Sequence, residues 1–271
     1  MVTQRSAIGM LCSSFMAAAL AAAVAGCSAG PEETTEAFRP LAAKGQASSI
    51  VAVGKDYRVN WVVLVANPNR WHFGENVVAT VVGRDAQGKE VVRQREPMDA
   101  VPPGRAMAFS GTVTAARRPA KVEIDVRSPQ WRKAVRVPSA FRQFPLTDVQ
   151  TVKLRDGQYL VSGYVIDPYR KPASTLRVTA LLHDGDGRLL GGRSDFVDDV
   201  SAGGRQRFVI TVPGITGTVA PERTQLFVSP WGSTAGPYEE LVKAGLVPLH
   251  TVKPKTEPFP KDRNTQVSSF E

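Results

Sequence analysis

The strongest periodicity in the chain runs through Tyr57-Arg58-Val59-Asn60-Trp61-Val62-Val63-Leu64-Val65. Its odd positions are apolar or aromatic and its early even positions are polar. A period of two sends alternate side chains to opposite faces, so the segment predicts a half-buried strand. Leu176-Arg177-Val178-Thr179-Ala180-Leu181-Leu182 is equally rich in β-formers but alternates less cleanly. Ala106 to Val113 and Gln206 to Val212 alternate again. Turn signals separate these segments. In Asp85-Ala86-Gln87-Gly88 and Asp184-Gly185-Asp186-Gly187 the aspartate can accept backbone N–H bonds while the final glycine takes positive φ. Pro103-Gly104 and Gly203-Gly204 mark further turns. Short strands with turn signals at roughly 8–12-residue intervals predict an antiparallel sandwich.

The pattern occurs twice. Val62 to Pro68 aligns with Ser162 to Pro168 at a spacing of 100, and Asp85 to Lys89 aligns with Asp184 to Arg188 at 99. Gly104 and Phe109 precede Gly203 and Phe208 by 99, and Arg127-Ser128-Pro129 precedes Val228-Ser229-Pro230 by 101. Marks recurring in one order at near-constant spacing indicate duplication of a whole domain, since a solenoid repeat would be far shorter. The expected fold is all-β: two tandem Ig-like antiparallel β-sandwiches, residues 49–142 and 143–235, with a short C-terminal helix at 236–247. Trp61, Val63, Val65 and Phe109 are expected in the first core, and Val161, Val165 and Phe208 in the second. The helix is marked by Pro237 at its start, Glu239 and Glu240 in its first turn, Lys243 in its last and Gly245 at its stop.

This order of parts resembles the FxLYD-type Ig-like module of bacterial envelope proteins: a strand, an Asn-Pro, a strand ending in Asp-x-x-Gly, a Pro-Gly turn, and a strand bearing Phe. Val81-Val82-Gly83-Arg84-Asp85 and Ala180-Leu181-Leu182-His183-Asp184 stand at the motif and keep its aspartate, and the second copy keeps a Leu at the third position. The resemblance implies a sandwich without enzyme activity and supplies no catalytic residues.

The N-terminus changes the setting. Arg5 is followed by an apolar, alanine-rich run from Ala7 to Ala25, ending in Val24-Ala25-Gly26-Cys27. A positive n-region, an h-region and small residues before a cysteine resemble a lipoprotein signal peptide with its lipobox. The run is short and weakly apolar for an uncut membrane span. Residues 1–26 are therefore read as a removed signal peptide and Cys27 as the lipidation site. The protein would then be anchored to the cell membrane on its extracytoplasmic side, because acyl chains on one residue contribute about 0.8 kcal/mol per buried methylene. Of the two cysteines, Cys12 leaves with the signal, so the mature chain has no disulfide and no cysteine metal site. Residues 27–48, which include Glu32-Glu33-Thr34-Thr35-Glu36 and few large apolar side chains, read as a flexible tether. Residues 248–271, rich in Pro, Lys, Ser and Thr, read as a disordered tail.

Chemistry is sparse in the sequence. His72, His183 and His250 are scattered without metal-ligand spacing, and neither a nucleophile elbow nor a phosphate loop is present. No catalytic residue, metal or cofactor is expected. Asp184-Gly185-Asp186-Gly187 has the alternating carboxylates of a calcium loop but not its distant Glu, and the first copy carries a plain turn there. Charge offers more. The chain has 34 basic and 25 acidic residues, net +9, and between Val126 and Thr147 there is no acid at all. Arg127, Arg132, Lys133, Arg136 and Arg142 fall in that run, with Trp131, Phe141 and Phe144 among them. Such a strip could hold an anionic envelope polymer; alternatively, its bases are outward strand positions and its rings pack at the domain junction. Nucleic acid is excluded by the extracytoplasmic setting. A second candidate surface is an aromatic contact loop, with Trp71 and Phe73 in the first copy and Tyr169 in the second. These rings either meet a partner or fold back over the open end of the core. Two functions follow: a non-enzymatic binding or structural module of the envelope, or a ligand-capturing lipoprotein that passes a small molecule or sugar to another component. The second requires a cleft at the junction, lined by Trp131, Phe141 or Phe144.

Overall fold

The computed structural model describes residues 38–248 apart from Ser128. The segment expected to be a signal peptide, Cys27 and nearly all of the segment expected to be a C-terminal tail lie outside the described residues. Phe38 to Pro248 belong to one compact unit. It is built from fourteen strands: β1 (Ala42–Val53), β2 (Asp56–Ala66), β3 (His72–Glu75), β4 (Val78–Arg84), β5 (Glu90–Pro97), β6 (Ala106–Ala115), β7 (Lys121–Arg127), β8 (Gln130–Lys133), β9 (Leu146–Lys153), β10 (Tyr159–Ile166), β11 (Ala173–His183), β12 (Leu189–Val200), β13 (Arg205–Val212) and β14 (Gln225–Pro230). One helix, α1 (Gly236–Ala244), follows.

The strand order demonstrates the duplication. In the first copy the sheets run β1-β2-β6 and β5-β4-β7; in the second they run β9-β10-β13, the same order seen from the other edge, and β12-β11-β14. Every pairing is antiparallel. The copies match strand for strand, and the first adds the two-stranded ribbon β3-β8. The fold is thus two tandem Ig-like β-sandwiches with a short C-terminal helix. Trp61, Val63, Val65 and Phe109 line the first core, together with Val81 of the facing sheet. Val161, Val165 and Phe208 line the second, against Leu176 and Leu182.

A third apolar cluster joins the sandwiches. Val62 of β2, Ala108 of β6 and Leu181 of β11 are buried together, with Leu64, Leu189 and Phe227 packed around them. Strand alternation sends Val62 away from the core that receives Trp61 and Val63, and Leu181 away from the core that receives Ala180 and Leu182. The outer face of β1-β2-β6 therefore lies on the outer face of β12-β11-β14, and the molecule is four sheets deep. This accounts for the imperfect alternation of β2 and β11, since a strand buried on both faces carries apolar residues at positions that would otherwise face water. The seam also carries polar contacts: Ser194 donates its backbone N–H to Ser110 Oγ at 2.7 Å, and Thr179 Oγ1 lies 2.7 Å from Ser194 Oγ.

The first sandwich starts earlier than the sequence suggests, within the residues expected to form a tether. Residues 42–53 form β1, paired along β2 from Ala42↔Ala66 to Val53↔Asp56, so the first sandwich begins before residue 49. Leu41 and Ile50 pack on the first core. As an edge strand with small and polar residues elsewhere, β1 carries too little apolar pattern to announce itself. The turn readings at Asp85 and Asp184 hold in detail. Asp85 Oδ1 accepts N–H bonds from Gln87 and Lys89, and Asp184 Oδ1 accepts them from Asp186 and Arg188. Gly88 and Gly187 take φ of 78° and 83°. The helix also follows its signals, ending at Gly245 with φ 83°.

Candidate functional site

The Asn-Pro and Asp-Pro marks of the repeat organise the same loop in each copy. Asn67 is buried; its Nδ2 donates to the carbonyls of His72, Val101 and Pro102, and its Oδ1 accepts from Asn69 N–H. Asp167, wholly buried, accepts instead from the N–H groups of Tyr169 at 2.8 Å and Ala173 at 3.0 Å. Burial raises its carboxyl above the usual range, against the pull of those two bonds. The loops so formed carry the aromatic residues singled out from sequence. Phe73 and Tyr169 are not exposed: they are 0% and 1% accessible. Phe73 meets Phe141 edge-on at 5.0 Å and Tyr238 at 5.7 Å. Tyr169 packs on Phe144 at 5.8 Å and donates its hydroxyl to the Arg142 carbonyl, while burial pushes that hydroxyl up to about 12. Only Trp71 stays exposed, under the Arg70 guanidinium. The contact loop therefore loses Phe73 and Tyr169 to the interior, where ring burial outweighs exposure for large apolar side chains.

The basic strip is also redistributed. In the β3-β8 ribbon, Phe73 stands opposite Arg132 and His72 opposite Lys133. Directly opposed residues share a face, so Arg132 lies on the inner face with Phe73 and Glu75, and Lys133 on the outer one. Arg132 Nη1 donates to Glu75 Oε1 at 3.3 Å and Nη2 to Glu239 Oε2 at 2.6 Å. It fastens α1 to the first sandwich and does not belong to an outward strip. Glu75 Oε1 also accepts the Ala235 N–H at 2.7 Å. Arg127 lies 3.7 Å from Asp125 on its own strand. Lys133, Arg136 and Arg142 are exposed. Trp131 stacks on Phe38 at 5.6 Å.

Beside this clasp sits a second buried charge. Asp99 accepts from Gly232 N–H at 3.1 Å and Ser229 Oγ at 3.2 Å, and Arg177 Nε lies 3.2 Å away without hydrogen-bond alignment. Burial raises its carboxyl despite Arg177. Glu75 and Asp99 of the first copy thus hold the chain that leaves β14, and bring α1 over the junction.

The junction contains a cleft of about 1100 Å³. Pro102, Arg105, Ala106 and Met107 of the first copy line it with Ile166 to Pro168, Gly203 and Leu226 to Val228 of the second, together with Phe141 to Leu146, Tyr238 and Leu246 to Pro248. Its apolar surface comes from Met107, Phe141, Phe144 and Phe227, and its positive charge from Arg105 and Arg142. Arg105 Nη2 donates to the Phe141 carbonyl at 3.3 Å. Among the described residues neither guanidinium has a carboxylate within 4.0 Å. The lining's one carboxylate, Asp167, is spent on backbone N–H groups. A smaller hollow of about 410 Å³ opens on the seam, where exposed Phe196 and Trp231 meet edge-on at 6.1 Å. No cluster of three or more potential metal ligands occurs among the described residues.

No protein-family model matches the sequence, and no curated protein does. Solved structures share limited similarity. One is the C-terminal globular domain of an oligosaccharyltransferase from Pyrococcus abyssi, at 11% identity and a TM-score of 0.20, covering 70% of this chain and 46% of that one. Another is the N-terminal tandem CBM22 domain of Xyn10C from Paenibacillus barcinonensis, at 12% identity and a TM-score of 0.19, covering 77% of this chain and 90% of that one.

Of the three rings that the sequence offers for a junction cleft, Phe141 and Phe144 line it and Trp131 does not; Arg105, Asp167 and Tyr238 were missed. The repeat offered a signal for the loop residues, because Asn67 and Asp167 stand at equivalent positions before Pro68 and Pro168. Arg105 carries no local mark.

Proposed function

We propose that this chain is a lipid-anchored, extracytoplasmic module of the bacterial cell envelope that binds without catalysing, and that the cleft between its sandwiches is where a small ligand is captured. The observation that carries the reading is a cleft of about 1100 Å³ to which both copies and the segment joining them contribute, with Phe141 and Phe144 in its lining. Ligand sites are commonly concave, mostly apolar hollows of roughly 300–1000 Å³ with a few placed polar groups, and they favour the junctions between domains. A purely structural pair of sandwiches has no need of such a space. The anchor rests on Val24 to Cys27. Capture without chemistry is the simplest use of an apolar cleft whose polar side chains are two guanidinium groups, the Gln143 amide, a carboxylate bonded to backbone N–H groups and a buried phenol.

The test is native mass spectrometry of protein extracted from its own membranes. A small molecule should accompany the wild-type chain and be absent from Ala106→Trp, which sets a large ring in the cleft wall. Equal occupancy of the two proteins, or none in either, would overturn the reading.

A further inference from the structure

Resting on that reading, we infer that the cleft selects an anionic amphiphile: an acyl chain or comparable apolar body ending in a single carboxylate or phosphate. The argument begins with the two ends of the site. Met107, Phe144 and Phe227 supply apolar wall from both copies and from the segment between them. Such a wall binds by area removed from water and cannot choose among apolar bodies. Arg105 and Arg142 supply the choice. Arg142 is exposed and Arg105 half-buried, and among the described residues neither has an acidic partner. Other arginines beside buried surface in this molecule are compensated: Arg132 by Glu75 and Glu239, Arg177 by Asp99. A half-buried guanidinium whose only acceptor among the described residues is a backbone carbonyl, that of Phe141, retains most of its donors for a ligand. Guanidinium groups present a planar fork that matches carboxylate and phosphate oxygens.

The negative side of the balance is small. Among the described residues Asp167 is the one carboxylate in the lining. Both its oxygens already accept backbone N–H bonds, so they are engaged within their own loop, and burial raises its carboxyl above the usual range. The site therefore combines an extended apolar wall with an unanswered positive rim, and an anionic amphiphile answers both.

The experiment uses the full-length protein and two kinds of probe. Nile red, neutral and apolar, reports access to the cleft by fluorescence. Dodecanoate, dodecyl phosphate and uncharged dodecyl maltoside, each below its micelle concentration, are then titrated as competitors. Dodecanoate and dodecyl phosphate should displace the dye at least about tenfold more effectively than dodecyl maltoside. The tighter of the two identifies the head group. In Arg105→Gln/Arg142→Gln the preference should shrink about tenfold or more while Nile red still binds, which shows that the fold and the apolar wall survive. The preference should also weaken with salt, because the rim is solvent-exposed. Binding of Nile red with no preference for the anions, or with a preference indifferent to the double substitution, would overturn the charge selection and leave the cleft standing. No dye uptake by the wild-type chain, or uptake unchanged in Ala106→Trp, would overturn the cleft itself.

Discussion

Leu181→Ala tests whether the two sandwiches behave as one body. Leu181 is fully buried, but not in its own sandwich's core: it meets Val62 and Ala108 of the first copy across the seam, while Ala180 and Leu182 face inward. In a free second sandwich this leucine would project into water, and truncating an exposed side chain changes stability by no more than about 0.5 kcal/mol. Within the four-layer stack the same truncation removes a fully desolvated side chain and leaves a cavity, which costs about 2–5 kcal/mol. The upper half of that range is expected. Gly192 already sits so close that a Cβ there would lie 3.0 Å from Leu181 Cδ2 and 3.1 Å from Val62 Cγ2, so the seam has little freedom to collapse into the void. Against a total stability of about 5–15 kcal/mol, this is large enough to read without ambiguity. Native-state hydrogen exchange supplies the assay. Amides of β2 and of β10 should open with one common free energy in the parent, and both should lose the same amount in the variant. A loss under about 0.5 kcal/mol would refute the argument. So would a loss confined to the second copy, which would mean that the seam is contact without cooperation.

Four further outcomes are expected. Gly192→Ala should lower stability by about 1–3 kcal/mol in urea titration, because its Cβ would stand 2.3 Å from the Ala180 carbonyl oxygen, a backbone atom that cannot step aside. Asn67→Asp should cost at least about 1–3 kcal/mol, since it turns a carboxylate toward three carbonyls that now accept from an amide. Burial raises the Asp99 carboxyl, so its stabilising contribution is fully present below the unfolded value of about 3.9 and is lost as pH rises through the higher native value. Asp99→Asn, with no proton to release, should therefore gain stability relative to the parent across that rise, and a difference that stays flat or shrinks in urea titrations at stepped pH would count against it. Cys27→Ser should leave the protein uncut or free of the membrane fraction; a variant that migrates and fractionates like the parent would remove the basis for the lipid anchor.

The sandwich and its duplication were legible because they are written in local chemistry. Asp-x-x-Gly fixes a hairpin through two N–H bonds to one oxygen and a glycine at positive φ, and this device survives at both copies. The core positions were legible for the same reason: Trp61, Val63, Val65 and Phe109 obey a period of two that only a strand can satisfy. The four-layer stack was not read, although its trace was present. Val62 and Leu64 break the alternation of β2, and Leu181 breaks that of β11. A strand that is apolar at some outward positions leaves open what covers its second face, since a sheet of its own copy, a sheet of the other or a helix would each demand the same residues. Strand β1 was invisible for the opposite reason. Its contribution is main-chain pairing along β2, and pairing of that kind leaves no side-chain signature.

The site was legible in its parts and not in its grouping. An acid-free run from Val126 to Thr147 is a property of spacing along the chain, whereas a charged surface is a property of direction. Adjacent Arg132 and Lys133 belong to opposite faces of the β3-β8 ribbon, so a single residue of register separates a group bound to Glu75 and Glu239 from one facing water. The acids that neutralise Arg132 come from 57 and 107 positions away, one in each direction, and no local window could have weighed them. Arg142 leaves the run in another way. It lines the junction cleft beside Arg105, a residue from the turn before β6 with no basic neighbours of its own. What concentrates positive charge in this protein is thus the meeting of two copies rather than a basic stretch of sequence. Because the same meeting supplies the apolar wall, charge and apolar surface face one space, and that coincidence is the physical ground for reading the junction as a binding site.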